Sequence, residues 1–232
     1  MQELVQVVKR ILAFAENQPP VSLQVELAES MEGQPFLLAD CRWQADADDW
    51  RQYLLGWQAF LQELKPEKKE DWQRLFQEFL TMDINGLWAY QPGQTEAAWV
   101  RTLIFYPILK QQKEMLKKEL ETKNNIAHCP LCGSIPLLAV LSGPGGARQL
   151  VCGSCTTRWD YPALACPACG NRDHETLYYR KAEELPGWQL DSCRKCGYSL
   201  KVLDLRTGKQ DVHPWLLDAE SIALNFVNQK EE

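Results

Sequence analysis

His128-Cys129-Pro130-Leu131-Cys132-Gly133 opens a stretch that continues through Cys152-Gly153-Ser154-Cys155 and Cys166-Pro167-Ala168-Cys169-Gly170 to Cys193-Arg194-Lys195-Cys196-Gly197. Eight of the nine cysteines of the chain fall within the 68 residues from Cys129 to Cys196, and the ninth is Cys41. Each pair leaves two residues between its thiols. One tight turn then brings both sulfurs to one ion, and a second such turn completes a tetrahedral four-sulfur site. Glycine follows three of the pairs, where a positive φ lets backbone N–H groups turn toward the sulfurs. Thr156 follows the remaining pair and should make that knuckle less regular. Pairing in chain order gives C-x2-C-x19-C-x2-C from Cys129 to Cys155 and C-x2-C-x23-C-x2-C from Cys166 to Cys196. Both inner loops are long enough for a hairpin, the zinc-ribbon or rubredoxin-like arrangement. Interleaved pairing, and eight thiols or four disulfides, are the less favoured alternatives.

The expected cofactors are therefore two metal ions per chain, each held by four cysteines: Cys129, Cys132, Cys152 and Cys155 for one, Cys166, Cys169, Cys193 and Cys196 for the other. Zinc and iron both suit four thiolates, so ligand type does not choose between them. Four protein ligands leave no open position, which argues against a hydrolytic centre. Scaffolding, one-electron transfer by iron, and sensing through ligand exchange remain. His128 and His174 stand beside knuckles and are read as surface or packing residues, and His213 as a loop residue. Cys41 is read as a small buried hydrophobe.

The first 125 residues have a different chemistry. They hold six of the nine tryptophans, one cysteine and a net charge of −5, against −1 for residues 126–232. Val5, Val8, Ile11, Leu12 and Phe14 predict a short helix ending before Pro19-Pro20. Asp46 or Asp48 can cap a second helix, whose face is Trp50, Tyr53, Leu54, Trp57, Phe60, Leu61 and Leu64. Pro66 stops it, and Trp72, Leu75, Phe76, Phe79 and Leu80 continue the spacing in a third. After Pro92-Gly93, Thr95 can cap a long segment through Leu120 that Pro107 should kink or divide. The aromatic residues at helical spacing are read mainly as core. Beyond residue 125, strands are predicted over 136–141, 149–151, 176–180, 188–190 and 198–203, with Ser142-Gly143-Pro144-Gly145-Gly146 as a turn. A last helix is predicted from Asp218 to about Gln229.

The fold class expected is α+β. A helical domain (1–125) precedes two zinc-ribbon or rubredoxin-like β modules (126–160 and 161–216) and a C-terminal helix and tail (217–232). The net charge of −6 disfavours bulk nucleic-acid binding. No run approaches the ~18 apolar residues of a membrane span. The N-terminal residues lack a basic segment followed by an apolar core, so a cytoplasmic location is expected. No Gly-rich phosphate loop, G-x-S-x-G elbow or H-E-x-x-H occurs, and no enzyme activity is expected.

The four pairs in this order, with Ser134 and Pro136, Leu150, Arg158-Trp159, Tyr198, Leu200-Lys201 and the tail Asp218-Ala219-Glu220-Ser221-Ile222-Ala223-Leu224, resemble the formate dehydrogenase accessory protein family, FdhE. The resemblance covers about residues 127–227. This chain departs from it in lacking a basic residue between Trp159 and Cys166. The resemblance implies a non-enzymatic cytoplasmic maturation factor. Its expected partner is the molybdenum- or tungsten-dependent catalytic subunit of formate dehydrogenase, bound during assembly. It also implies a helical domain followed by two rubredoxin-like modules with iron or zinc on the eight cysteines. The alternatives are a zinc-ribbon nucleic-acid-binding module and a rubredoxin-like electron-transfer protein.

Overall fold

The computed structural model describes residues 2–18, 21–27, 36–39, 41–90, 96–121 and 125–230, the last four by backbone alone. The chain forms two compact units. One is Lys9–Met115; the other joins Met1–Val8 to Leu116–Glu232. Helix α1 (Gln2–Glu16) spans the first boundary.

In the Lys9–Met115 unit, Asp46 caps α2 (Ala47–Leu64), its carboxylate accepting from the Asp48 and Asp49 amides at 2.9 and 3.1 Å. These bonds satisfy donors that a helix start would otherwise leave unpaired. The predicted face of α2 is buried except for Phe60, which is partly covered and stacks on Phe14 at 4.0 Å. Pro66, at the start of a short 3-10 turn, separates α2 from α3 (Lys69–Phe79). α4 (Ile84–Ala89) starts on the Asp83 side chain, which accepts from the Gly86 amide.

Three departures from the sequence reading lie here. β1 (Leu23–Glu26) and β2 (Arg42–Ala45) form an antiparallel pair inside the helical unit. At four residues each, they are too short for period-two alternation to stand out. Pro107 does not divide its helix: α5 runs unbroken over Glu96–Met115, and the break comes at Leu116, before α6 (Lys117–Glu121). Its neighbours Phe105, Tyr106, Ile108 and Leu109 are all buried. Their packing offsets the bond that a proline cannot donate. Trp99, read with the core aromatics, is 41% exposed. Trp43, Trp50, Trp57 and Trp72 are buried. The Asn85 side chain pins Trp43 by accepting from its amide and donating to its carbonyl, both at 2.8 Å. Pro19-Pro20, Pro92-Gly93 and Thr95 lie outside the described residues.

The second unit is built on one six-stranded sheet. Its strands are β3 (Pro136–Ser142), β4 (Ala147–Cys152), β5 (Arg158–Asp160), β6 (Leu177–Lys181), β7 (Trp188–Cys193) and β8 (Ser199–Asp204), in the order β5-β4-β3-β8-β7-β6. All neighbours are antiparallel except β3 and β8, which pair in parallel through Ala139↔Val202, Val140↔Leu203 and Leu141↔Asp204. That parallel seam joins the two knuckle-bearing hairpin systems into one sheet. The predicted glycine turn links β3 to β4, with Gly143 and Gly146 at φ 66° and 65°. β5 escaped the sequence reading because it has three residues.

On one face of this sheet, Leu138, Val140, Val151, Trp188 and Leu203 form a core with Leu217 and Leu224. Leu217 belongs to α7 (Pro214–Glu220) and Leu224 to a 3-10 segment, Ile222–Lys230. The closing helix thus begins earlier than predicted and gives way to 3-10 geometry after Ser221. His213, read as a loop residue, is its N-cap, and its Nδ1 accepts from the Trp215 amide at 3.2 Å. Lys201, on the same sheet face, pairs with Asp218 of α7. Among the described residues, no helix is long and apolar enough to cross a membrane.

Candidate metal centres

The eight cysteines are gathered into two groups of four, in chain order. Within each group, the sulfurs all lie within 4.8 Å of one another. In the first, Cys129–Cys155 are 3.4 Å apart, and Cys132–Cys152 and Cys132–Cys155 are 3.6 Å apart. In the second, Cys166–Cys196 are 3.7 Å and Cys169–Cys193 3.8 Å apart. A tetrahedral ion with metal–sulfur bonds of ~2.3 Å places its sulfurs about 3.8 Å apart, so the donor set fits a four-thiolate ion. A disulfide would need ~2.05 Å.

All four knuckles share one backbone design. The amide of the leading cysteine donates to the carbonyl five residues on, from Cys129 to Ser134, Cys152 to Thr157, Cys166 to Asn171 and Cys193 to Tyr198, each at 2.9 Å. The residue after each pair is left-handed: Gly133, Gly170 and Gly197 at φ 75°, 68° and 75°, and Thr156 at 58°. Thr156 therefore does not make its knuckle irregular. It adopts the glycine conformation, which a β-branched residue enters only under strain.

The two centres differ in exposure. Cys129, Cys132, Cys152 and Cys155 are all buried, whereas Cys169 and Cys196 of the second group are exposed. Burial pushes the Cys129, Cys152 and Cys155 thiols well above their ordinary range. Cys132 is held well below it by hydrogen bonds from Cys129, Cys152 and Cys155. In the second group, burial pushes Cys166 up to about 12. Burial also acts to raise Cys193, but the Asn171 amide, the Cys196 and Lys195 backbone N–H groups and the Cys169 thiol bring it down to about 6.

Polar groups outside the cysteines support the cages. The Ser154 and Cys155 amides donate to the Cys152 sulfur at 3.3 and 3.4 Å. Ser134 and Ser154 join the two knuckles of the first cage through a 3.0 Å hydroxyl contact. Asn171 donates to Cys193 at 3.5 Å and to Thr176 at 2.7 Å. His128 and His174 are exposed and belong to neither sulfur group. Cys41 is half-buried rather than buried.

Two supporting residues had no motif to announce them. The Trp215 indole donates to the Gly153 carbonyl at 2.6 Å, tying α7 to the knuckle of Cys152 and Cys155. Arg148, on β4, donates to the Pro162 and Ala165 carbonyls at 3.2 and 3.0 Å and pairs with Asp191 at 3.1 Å. It braces both chain segments that enter the second cage, just before Cys166 and Cys193.

Comparison with known proteins agrees with this architecture. A sequence description of the FdhE central domain matches residues 128–162, the stretch holding the first cage. A protein FdhE homolog from Aquifex aeolicus is 35% identical over 130 residues, covering 54% of this chain and 44% of that one. Another, from Haemophilus influenzae strain PittGG, is 24% identical over 171 residues, covering 66% and 54%. The chain thus spans about half the length of these relatives. In fold it is similar to the crystal structure of the FdhE protein from Pseudomonas aeruginosa, with a TM-score of 0.57 at 14% identity, over 97% of this chain and 83% of that one.

Proposed function

We propose that the chain, which is similar to FdhE proteins in sequence and in fold, belongs to that family and is a non-enzymatic accessory protein for formate dehydrogenase, acting in the cytoplasm. It binds the immature molybdenum- or tungsten-dependent catalytic subunit until its cofactors are in place. The observation that carries this reading is the pair of closed four-sulfur cages on one sheet, the first lying in the family's central domain. Closed cages stiffen a recognition surface and leave no coordination position for a substrate.

In this reading Cys129, Cys132, Cys152 and Cys155 ligate one ion, and Cys166, Cys169, Cys193 and Cys196 the other. Purified protein should carry two metal ions per chain by elemental analysis. Cys129→Ser and Cys193→Ser should each carry one, and two ions retained in either variant would remove that cysteine from the ligand set. The function is tested by anaerobic affinity purification from the native host. Enrichment of a formate dehydrogenase catalytic subunit supports it; ribosomal, polymerase or redox proteins in its place overturn it. The exposure of Cys169 and Cys196 favours a second reading, electron exchange through an iron-loaded second cage. Zinc there in the native protein would end that reading, since zinc has no redox chemistry.

A further inference from the structure

The sheet face opposite α7 is not closed. A cavity of about 300 Å³ opens there, with apolar walls from Leu141, Leu164, Tyr198 and Leu200. It reaches Cys166 and Cys193 but not Cys169 or Cys196, so it is a space beside the second cage rather than the cage itself. Three independent features meet in it.

The first is a free strand edge. β6 is the last strand of the sheet. Backbone bonds Arg194–Thr176 and Ala182–Trp188 set the phase of its pairing with β7. In an antiparallel ladder such bonded pairs alternate with open ones. The outward positions on β6 are therefore Leu177, Tyr179 and Lys181; the Leu177 amide already donates to the Asp173 carbonyl at 3.2 Å, which leaves the Tyr179 and Lys181 N–H groups and the outward carbonyls to face a further strand. Leu177 and Tyr179 also line the cavity.

The second is a balanced charge. Arg148 lines the cavity, its side chain is 3% exposed, and it pairs with Asp191 at 3.1 Å. An uncharged side chain therefore suits the site better than a carboxylate does.

The third is the mouth. Leu164 and Tyr179, two of the few large apolar residues that stand exposed, both line the opening, at 65% and 60% exposure.

The geometry points to a peptide-binding edge: an extended segment of a partner protein adds to β6 as a further strand and inserts one large apolar side chain into the cavity beside Arg148. Strand addition provides affinity through main-chain bonds, and a side-chain pocket provides selectivity. A second copy of this chain is the poorer occupant, because Arg180 and Lys181 stand in succession on β6 and would bring like charges close together. The inference goes beyond the family reading, since it holds whichever protein supplies the segment.

The test uses the 232-residue chain, zinc-loaded and immobilised, and degenerate end-blocked peptides with one fixed central residue. Libraries with central Leu or Phe should be retained about tenfold or more over central Asp, the ratio expected for burying one large apolar side chain. Hydrogen exchange at Tyr179 and Lys181 should slow when they bind. Tyr179→Pro removes an outward amide while sparing the bonds to β7, and should abolish retention. Leu164→Asp, at an exposed position, should do so without touching the sheet. Equal retention of all libraries, unchanged exchange along β6, or retention unaltered in both variants would overturn the proposal. So would a concentration-dependent dimer that Tyr179→Pro dissolves while no peptide is retained, which would assign the edge to a second copy.

Discussion

Thr156 shows how strongly the sulfur cage constrains single residues. Its three counterparts are glycines, yet it holds φ 58° and its knuckle keeps the same amide-to-carbonyl bond. A left-handed conformation costs a residue with a Cβ roughly 1–2 kcal/mol, partly offset by the greater chain entropy that glycine loses on folding. Thr156→Gly should therefore stabilise the metal-loaded protein by up to about 1 kcal/mol, read as a higher melting temperature. The thiols make a second prediction at this scale. Burial holds Cys129, Cys152 and Cys155 in the protonated form, and Cys166 up to about 12. A bound ion must displace those protons. Metal affinity should thus fall as pH falls, and loading at neutral pH should release protons, measurable by calorimetry in buffers of different ionisation enthalpy.

At the scale of elements, the cages depend on partners distant in sequence. α7 reaches the first cage through the Trp215 indole and the Gly153 carbonyl. Trp215→Phe keeps most of the apolar surface and removes that donor. It should cost about 1 kcal/mol, the typical net worth of such a bond, with the metal retained. Loss of the first-site ion in that variant would show that α7 holds the cage rather than merely packing beside it. On the other sheet face, Arg148 reaches from β4 to both segments entering the second cage.

At the scale of the molecule, the two cages share a sheet but not an environment. All four sulfur residues of the first are buried, and two of the second are exposed. A chelator should strip the second ion first, giving two kinetic phases of one metal each when release is followed with a colorimetric chelator. The Lys9–Met115 unit has its own buried core, including Trp57, Trp72, Phe76 and Phe105. Exhaustive metal removal should therefore melt the sheet unit while far-ultraviolet circular dichroism retains the helical signal. A structural ion of this type is worth about 10–16 kcal/mol in small peptides, enough to decide whether a domain of this kind folds.

The four C-x2-C pairs, the amphipathic faces of α2 and α3, and the family resemblance were all legible in the chain, because each is a local pattern read at a fixed spacing. So was the grouping of the cysteines in chain order, since hairpin-length loops bring consecutive pairs together. Elements without such a pattern were not legible. β1, β2 and β5 are too short to show a period, and Pro107 sits in a helix that buried neighbours sustain. The parallel seam of β3 and β8, the contrast in exposure between the cages, the reach of Trp215 and Arg148, and the open edge at β6 join residues far apart in sequence. Local spacing determined which residues could meet a metal. Only tertiary packing, which sets burial and leaves particular backbone groups unpaired, decided which cage faces water and where the sheet remains open to a further strand.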